Sequence, residues 1–329
     1  MSGNEAPLTF EQNWGLWKGA FLRPDGRVVD TLQSRASHSE GQGYGLILAA
    51  CAGDRAAFDL IQGWTFRTLM VRDSDRLFAW RWQANVGIED RNNATDGDLL
   101  IAWGLCLGAQ RFGAAHLKDL AALIVQDIIL HTIVADPRGG KHYVMRPGVV
   151  GFDREDGLLV NPSYYVFPAL YELSQTFELP ILSQLANDGL QLLADMSQTG
   201  LPLDWCVLTR DGYVADTQKS RHFGYEGMRI PLYLAMAGMS GHPAVRRVAT
   251  LWQHSLKPST PFPTVIDPVT FATRETSHEP GYAGMASHVL CALGQSVPPP
   301  RFVADQSYYP ATLHLLAISG AGITLKGCA

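Results

Sequence analysis

Residues 43–71 read GYGLILAACAGDRAAFDLIQGWTFRTLMV. Apolar residues crowd the first half at helical density and recur about every 3.6 residues in the second, so both halves read as helix. Between them stands only Gly53-Asp54. Glycine tolerates the left-handed conformation that closes a helix, and aspartate accepts from the free N–H groups of the next first turn, so the pair ends one helix and caps another. Two helices joined back to back make a hairpin, and Phe112-Gly113 repeats the punctuation.

The same period runs along the chain, while alternating strand patterns are few and short. Helices are predicted over 8–18, 43–53, 54–71, 97–111, 115–130, 163–176, 179–197, 226–238, 241–256, 281–293, 299–305 and 307–319. About twelve helices with alternating short and long connections predict an all-α fold in which hairpins close into a ring. Neither a composition shift nor a linker divides the chain, and VPPP at 297–300 is too short and too late to be one. The expectation is a single domain over residues 1–329. The long connections 72–95, 131–162 and 199–225 hold most loop aromatics and a few short strand-like pieces, with RDGY (Arg210–Tyr213) reading as a hairpin turn.

Composition narrows the function classes. Of 329 residues, 47% are hydrophobic and 17% charged, a folded chain with a large core. Net charge is −5 with no Lys/Arg run, which argues against nucleic acid. No apolar run reaches the length of a membrane span, and residues 1–15 lack the pattern of a signal peptide, although a chain whose leader had been exchanged for an initiator Met reads the same. The five cysteines are scattered singly, so neither a zinc site nor a disulfide scaffold is expected, and Cys51, Cys106 and Cys291 read as small buried residues in apolar helices.

Three carboxylate-bearing stretches stand at predicted helix starts. SEGQGYG (39–45) sets Glu40 among glycines that either pack the helix or leave room for a ligand beside the acid. In ATDGDLLIAWGL (94–105), Thr95 or Asp96 reads as an N-cap and Asp98 as a first-turn acid. Asp-Gly-Asp resembles a calcium-loop opening, but the later ligands are absent. In GYEGMRIPLY (224–233), Glu226 and Arg229 lie three apart on one helix face, with Pro231 kinking that helix or moving its start. His38-x-Glu40 is half of a metal motif that nothing completes, so no metal or cofactor is expected. Isolated carboxylates with aromatic loops suit glycoside hydrolysis: one acid protonates the leaving oxygen, another activates water, and rings stack on sugars.

SEGQGYG, ATDGD, NPSYY (161–165) and YEGMRIPLY (225–233), in this order and spacing, resemble glycoside hydrolase family 8, most of all the bacterial endo-β-1,4-glucanases encoded with cellulose synthases. DRAAFDLIQGW (54–64) and PLDWC (202–206) extend the resemblance over most of residues 10–320. It implies an (α/α)6 barrel, an inverting mechanism on β-1,4-glucan, a periplasmic or secreted location and a functional link to a cellulose synthase complex. Carried over by motif, Glu40 matches the general acid, Asp96 the residue that binds and distorts the sugar, and Arg229 the arginine that orients the carboxylates. Glu226 falls where this branch has an Asp general base. Tyr164 and Tyr225 match tyrosines near the water and the sugar, and Trp82, Trp80 and Trp205 are expected as stacking platforms. The mechanism asks for Glu40 protonated and Glu226 ionised beside Arg229.

Two departures matter. Glu226 is one methylene longer than the family's Asp, which leaves Asp204 as a rival base. Gly104, Cys106 and Gly108 stand where the family has Ala, Ser or aliphatic residues. The competing readings are a glucan-binding, chain-guiding protein with weak hydrolysis, and a chitosanase, xylanase or mixed-linkage glucanase on the same scaffold.

Overall fold

A computed structural model describes residues 8–257, 260–303 and 305–319. Its helices are α1 (Phe10–Phe21), α2 (Ser39–Ala52), α3 (Arg55–Thr68), α4 (Thr95–Phe112), α5 (Ala115–Thr132) and α6 (Phe167–Phe177). They continue with α7 (Pro180–Thr199), α8 (Arg229–Met236), α9 (Pro243–Ser255), α10 (Pro280–Ala292) and α11 (Tyr308–Ile318). The punctuation works as read: Gly53 and Gly113 take φ of 68° and 63° as C-caps, and Asp54 accepts from the Ala57 N–H at 3.0 Å.

Helices α2, α4, α6, α8, α10 and α11 touch in turn around a ring, and α11 returns to α2. Each of α3, α5, α7 and α9 packs outside the inner helix before it, while α1 leans on both α11 and α2. Sequence sorts the layers. Helix α4 is buried almost all round, from Thr95 to Cys106, whereas α9 buries one stripe, Ala244, Val245, Val248, Ala249 and Trp252. This is the predicted (α/α)6 ring, with one outer position lacking a helix among the described residues. Residues 299–303 have no regular structure and 305–306 bend, against the expected helix 299–305. Pro298, Pro299 and Pro300 explain the difference, since each lacks an N–H and pushes the residue before it out of helical conformation.

The long connections lead into the N-terminal ends of inner helices and therefore gather at one end of the ring. There β1 (Ser37–His38) pairs with β2 (Arg81–Trp82), and β3 (Ile133–Ala135) with β4 (Tyr143–Met145). A four-stranded antiparallel sheet follows, in the order β5 (Asp153–Arg154), β6 (Gly157–Val160), β7 (Cys206–Thr209), β8 (Gly212–Ala215). Its last pair turns at the predicted RDGY hairpin. A final hairpin joins β9 (Phe262–Ile266) and β10 (Thr273–Ser277).

Cys51, Cys106 and Cys206 are free. Cys291 is disulfide-bonded, which corrects its reading as a simple buried thiol.

Candidate active site

The site begins with how α2 meets α4. A Cβ on Gly43 would lie 2.5 Å from Leu100 Cβ, one on Gly104 2.7 Å from Leu46 Cβ, and one on Gly97 2.1 Å from Ser39 Oγ. The two helices thus touch backbone to side chain along their length, which sets their first turns side by side and Glu40 beside Asp96. Gly41 and Gly45 face Tyr308, Val28 and Ile61. The glycines around Glu40 serve helix packing, which corrects the reading that they leave room for a ligand. Gly104 and Gly108 belong to the same economy, Gly108 facing the Phe58 ring.

The start of α4 is not capped as expected. Helix α4 begins at Thr95 after Ala94, so Asp96 is a first-turn residue rather than a cap, and Thr95 Oγ1 donates to the Arg146 carbonyl at 2.8 Å. Asp98 accepts from the Phe78 N–H at 2.8 Å and the Asn93 amide at 2.7 Å, which holds loop 76–94; burial pushes its carboxyl up to about 7. That loop in turn caps α2, since the Ser39 N–H donates to the Trp80 carbonyl at 3.0 Å.

Arg229 opens α8 and is the hub. Its Nη1 donates to Glu40 Oε1 and, at 3.2 Å, to Asp96 Oδ2. Its Nη2 donates to Glu226 Oε2 and, at 2.7 Å, to Ser163 Oγ. Glu226 also accepts from the Asn161 amide at 3.1 Å. Pro231 has moved the helix start, as its position allowed: α8 begins at Arg229, so Pro231 lies in the first turn, where no N–H is missed. Glu226 accordingly sits in the turn before the helix, not on its face, and reaches Arg229 from there.

Exposure divides these groups. The Glu40 and Glu226 side chains are 27% and 34% exposed, while those of Asp96 and Arg229 are 3% exposed. Two carboxylates on opposite ends of one guanidinium are open to a substrate, and a third lies beneath. Burial and the charge of Glu40 hold the Asp96 carboxyl well above the usual carboxylate range. Burial opposes the charge on Arg229, but Glu226 and Glu40 outweigh it and keep the guanidinium protonated. Below them Tyr44 of α2 and Tyr233 of α8 share a hydroxyl–hydroxyl bond of 2.5 Å that ties opposite inner helices together.

The aromatics divide as well. The Tyr164 ring stands 5.8 Å from the Arg229 guanidinium carbon, at the centre of the site. Tyr225 is 44% exposed and its hydroxyl donates to Glu275 at 3.2 Å. Trp82 is partly buried, edge-on to Trp64, with the Arg27 guanidinium 4.8 Å over its ring. Trp80 stacks on His38 at 5.9 Å and donates its indole N–H to Asp90 at 3.1 Å. Trp205 is only 8% exposed, with Phe152 parallel to it at 6.4 Å and Lys219 at 4.4 Å from its ring centre. It is a packing residue against Tyr164, not an open platform. Sequence reasoning left Asn161 and Ser163 unassigned inside NPSYY, although Asn-Pro-Ser signals the 3-10 turn Pro162–Tyr164 that aims them. It also missed Tyr309, whose hydroxyl donates to the Tyr225 carbonyl. Among the described residues no three His, Cys, Asp or Glu side chains converge as a metal site.

The sequence model of glycosyl hydrolases family 8 matches residues 3–321. The chain belongs to this family. Relatives of the family-8 hydrolase include a Novacetimonas hansenii protein named "Probable endoglucanase", 34% identical over 98% of this chain and 94% of that one. An endoglucanase of Cellulomonas uda is 36% identical over 74% of this chain and 67% of its own length. Among solved structures, the endo-beta-1,4-glucanase CMCax from Acetobacter xylinum has a TM-score of 0.85 at 32% identity, covering 96% of this chain and 98% of that one. A reducing-end-xylose releasing exo-oligoxylanase, 16% identical with a TM-score of 0.72, shares the fold of the family-8 hydrolase.

Proposed function

We propose that the protein is an inverting endo-β-1,4-glucanase in which Glu40 is the general acid and Glu226 the general base. The observation that carries the assignment is the meeting of these two accessible carboxylates on the single buried guanidinium of Arg229. Water loses a proton to Glu226 as its oxygen bonds to the anomeric carbon. The glycosidic bond breaks on the opposite face, and its oxygen takes the proton of Glu40, which leaves the anomeric centre inverted. Arg229 orients both acids. Asp96 lies at the floor, where its carboxyl accepts from Arg229 and stands beside Glu40 to bind and distort the sugar at the cleavage point. Tyr164 and Tyr225 flank the chain, with Trp80 and Trp82 along the cleft.

A proton NMR time course on cellohexaose tests the reading: the α-anomer is expected to appear first, and reducing ends are expected from carboxymethylcellulose. In Glu40→Gln, turnover is lost while oligosaccharide binding stays; appreciable residual turnover would remove Glu40 from its role. We also propose one hydrolase domain over residues 1–329, supported by the continuous core running from α1 to α11. Work in the periplasm or outside the cell, beside a cellulose synthase, is supported by the likeness of its motifs to that branch of the family. Cell fractionation and co-purification with a synthase test it.

A further inference from the structure

Asp204 precedes β7 and is 4% exposed, a burial that a carboxylate tolerates only when its oxygens are occupied. They are occupied by the turn that carries Glu226. Oδ1 accepts from the backbone N–H groups of Gly224 at 2.8 Å and Gly227 at 2.7 Å, and Oδ2 accepts from Ser220 Oγ at 2.7 Å. One oxygen therefore holds both ends of the segment whose middle is Tyr225-Glu226. The close approach suits glycine at both ends, and at Gly227 the Phe223 ring, 2.8 Å from an added Cβ, adds to it. A Cβ on Gly224 would lie 2.8 Å from Asp204 Oδ2, and one on Gly227 would lie 3.1 Å from Oδ1. Asp204 is itself anchored, its N–H donating to the His222 carbonyl at 2.7 Å.

Both Asp204 oxygens are thus engaged by residues 220–227, and the side chain is buried. We propose that Asp204 is a positioning residue for the hydrolytic step, fixing the backbone of Gly224–Gly227 so that Glu226 meets Arg229 and faces the cleft. The inference rests on Glu226 being the base. A glutamate has one more rotor than the aspartate that the family carries there, so its carboxylate is placed only when both ends of the side chain are held. Asp204 holds the backbone end; Arg229 and Asn161 hold the carboxylate end. Without Asp204 two buried N–H groups lose their acceptor, and the turn must shift to find another.

A double-mutant cycle on cellohexaose hydrolysis tests this. Asp204→Ala is expected to lower kcat about 100-fold, the cost of misplacing a catalytic group by roughly 1 Å, and to raise KM by less than about ten-fold, since Tyr225 rides on the same turn while Tyr164 and the other sugar contacts stay in place. Asp204→Asn keeps an oxygen for both N–H groups and is expected to retain more than about a tenth of the rate, since two neutral bonds replace two charge-assisted ones. In a Glu226→Ala background, Asp204→Ala is expected to add less than about three-fold, because a residue that acts through Glu226 has nothing left to place. Losses that multiply in the double variant overturn the proposal. A Glu226→Ala enzyme near the wild-type rate overturns the assignment of the base itself, a separate result. If circular dichroism shows Asp204→Ala unfolded, Gly224→Ala presses on the same contact from the other side. It is expected to lose at least about ten-fold in kcat and to show the same saturation over Glu226→Ala; full activity refutes the clamp.

Discussion

Replacing Arg229 with glutamine removes the one cation shared by Glu40, Asp96 and Glu226 and keeps much of the side-chain volume. Taking one partner out of a buried ion pair costs about 3–5 kcal/mol, because the remaining charge is left without compensation. Here the loss is unequal. Glu40 and Glu226, 27% and 34% exposed, turn toward water, whereas Asp96 at 3% cannot. The expected destabilisation is therefore at the low end, about 3 kcal/mol at pH 8. It also depends on pH. The folded-state pKa of Asp96 already lies above its unfolded value and rises further without the cation, so the folded variant binds more protons than the unfolded chain does. Stability of the variant then falls as pH rises, and the gap to wild type widens. Urea unfolding followed by tryptophan fluorescence at pH 5 and pH 8 reads both effects. A difference below about 0.5 kcal/mol at both pH values, the size of an exposed pair, would refute the reasoning. Arg229→Lys, a point charge that cannot span three carboxylates, is expected to recover less than half of the loss.

Gly97→Ala puts a methyl 2.1 Å from Ser39 Oγ and 2.7 Å from the Glu40 nitrogen; about 1–3 kcal/mol of overpacking and a marked fall in kcat are expected from thermal unfolding and rate assays. Asp98, raised by burial to about 7, binds its proton more tightly folded than unfolded, so its contribution to stability declines as pH rises from about 4 to about 7. Asp98→Ala is expected to lower stability at each pH yet flatten that slope in urea titrations. Trp205→Ala removes packing under Tyr164 rather than an open sugar platform, so calorimetry should show a lower Tm, and the loss in activity should follow the fraction unfolded. If the variant stays fully folded and only KM rises, Trp205 is a platform after all.

Local chemistry carried most of the architecture into the sequence. Gly53-Asp54 and Phe112-Gly113 marked hairpin joints because backbone conformation and capping act within a few residues, and Pro231 signalled for the same reason that a helix predicted from residue 226 would kink or start later, as it does at Arg229. Pro298–Pro300 carried an equally local signal against helix 299–305, outweighed there by the apolar residues that follow. Glu40, Asp96 and Arg229 stood out as charged residues at helix starts, and their motif order supplied the family. Partners distant in sequence stayed hidden. Gly43 next to an acid reads equally as room for a ligand or as a helix contact, and only the arrival of Leu100 on α4 decides between them. Trp205 looks like every other loop tryptophan until Phe152 and Lys219 cover it. Asp204 read as a rival base because its two backbone donors, Gly224 and Gly227, lie about twenty residues away.

The ring closes through its last inner helix. Trp17 of α1 donates its indole N–H to Thr312 of α11 at 3.0 Å across 295 positions of sequence, and α11 completes the circle against α2. Contacts of such separation form late, since the entropy of closing the intervening loop must be met before they contribute. A ribosome releases the acids of the site long before it releases α11. Until then the apolar flank of α2 has no neighbour on one side, and exposed apolar surface of that kind favours association. Completion of the ring thus depends on contacts between segments 295 positions apart.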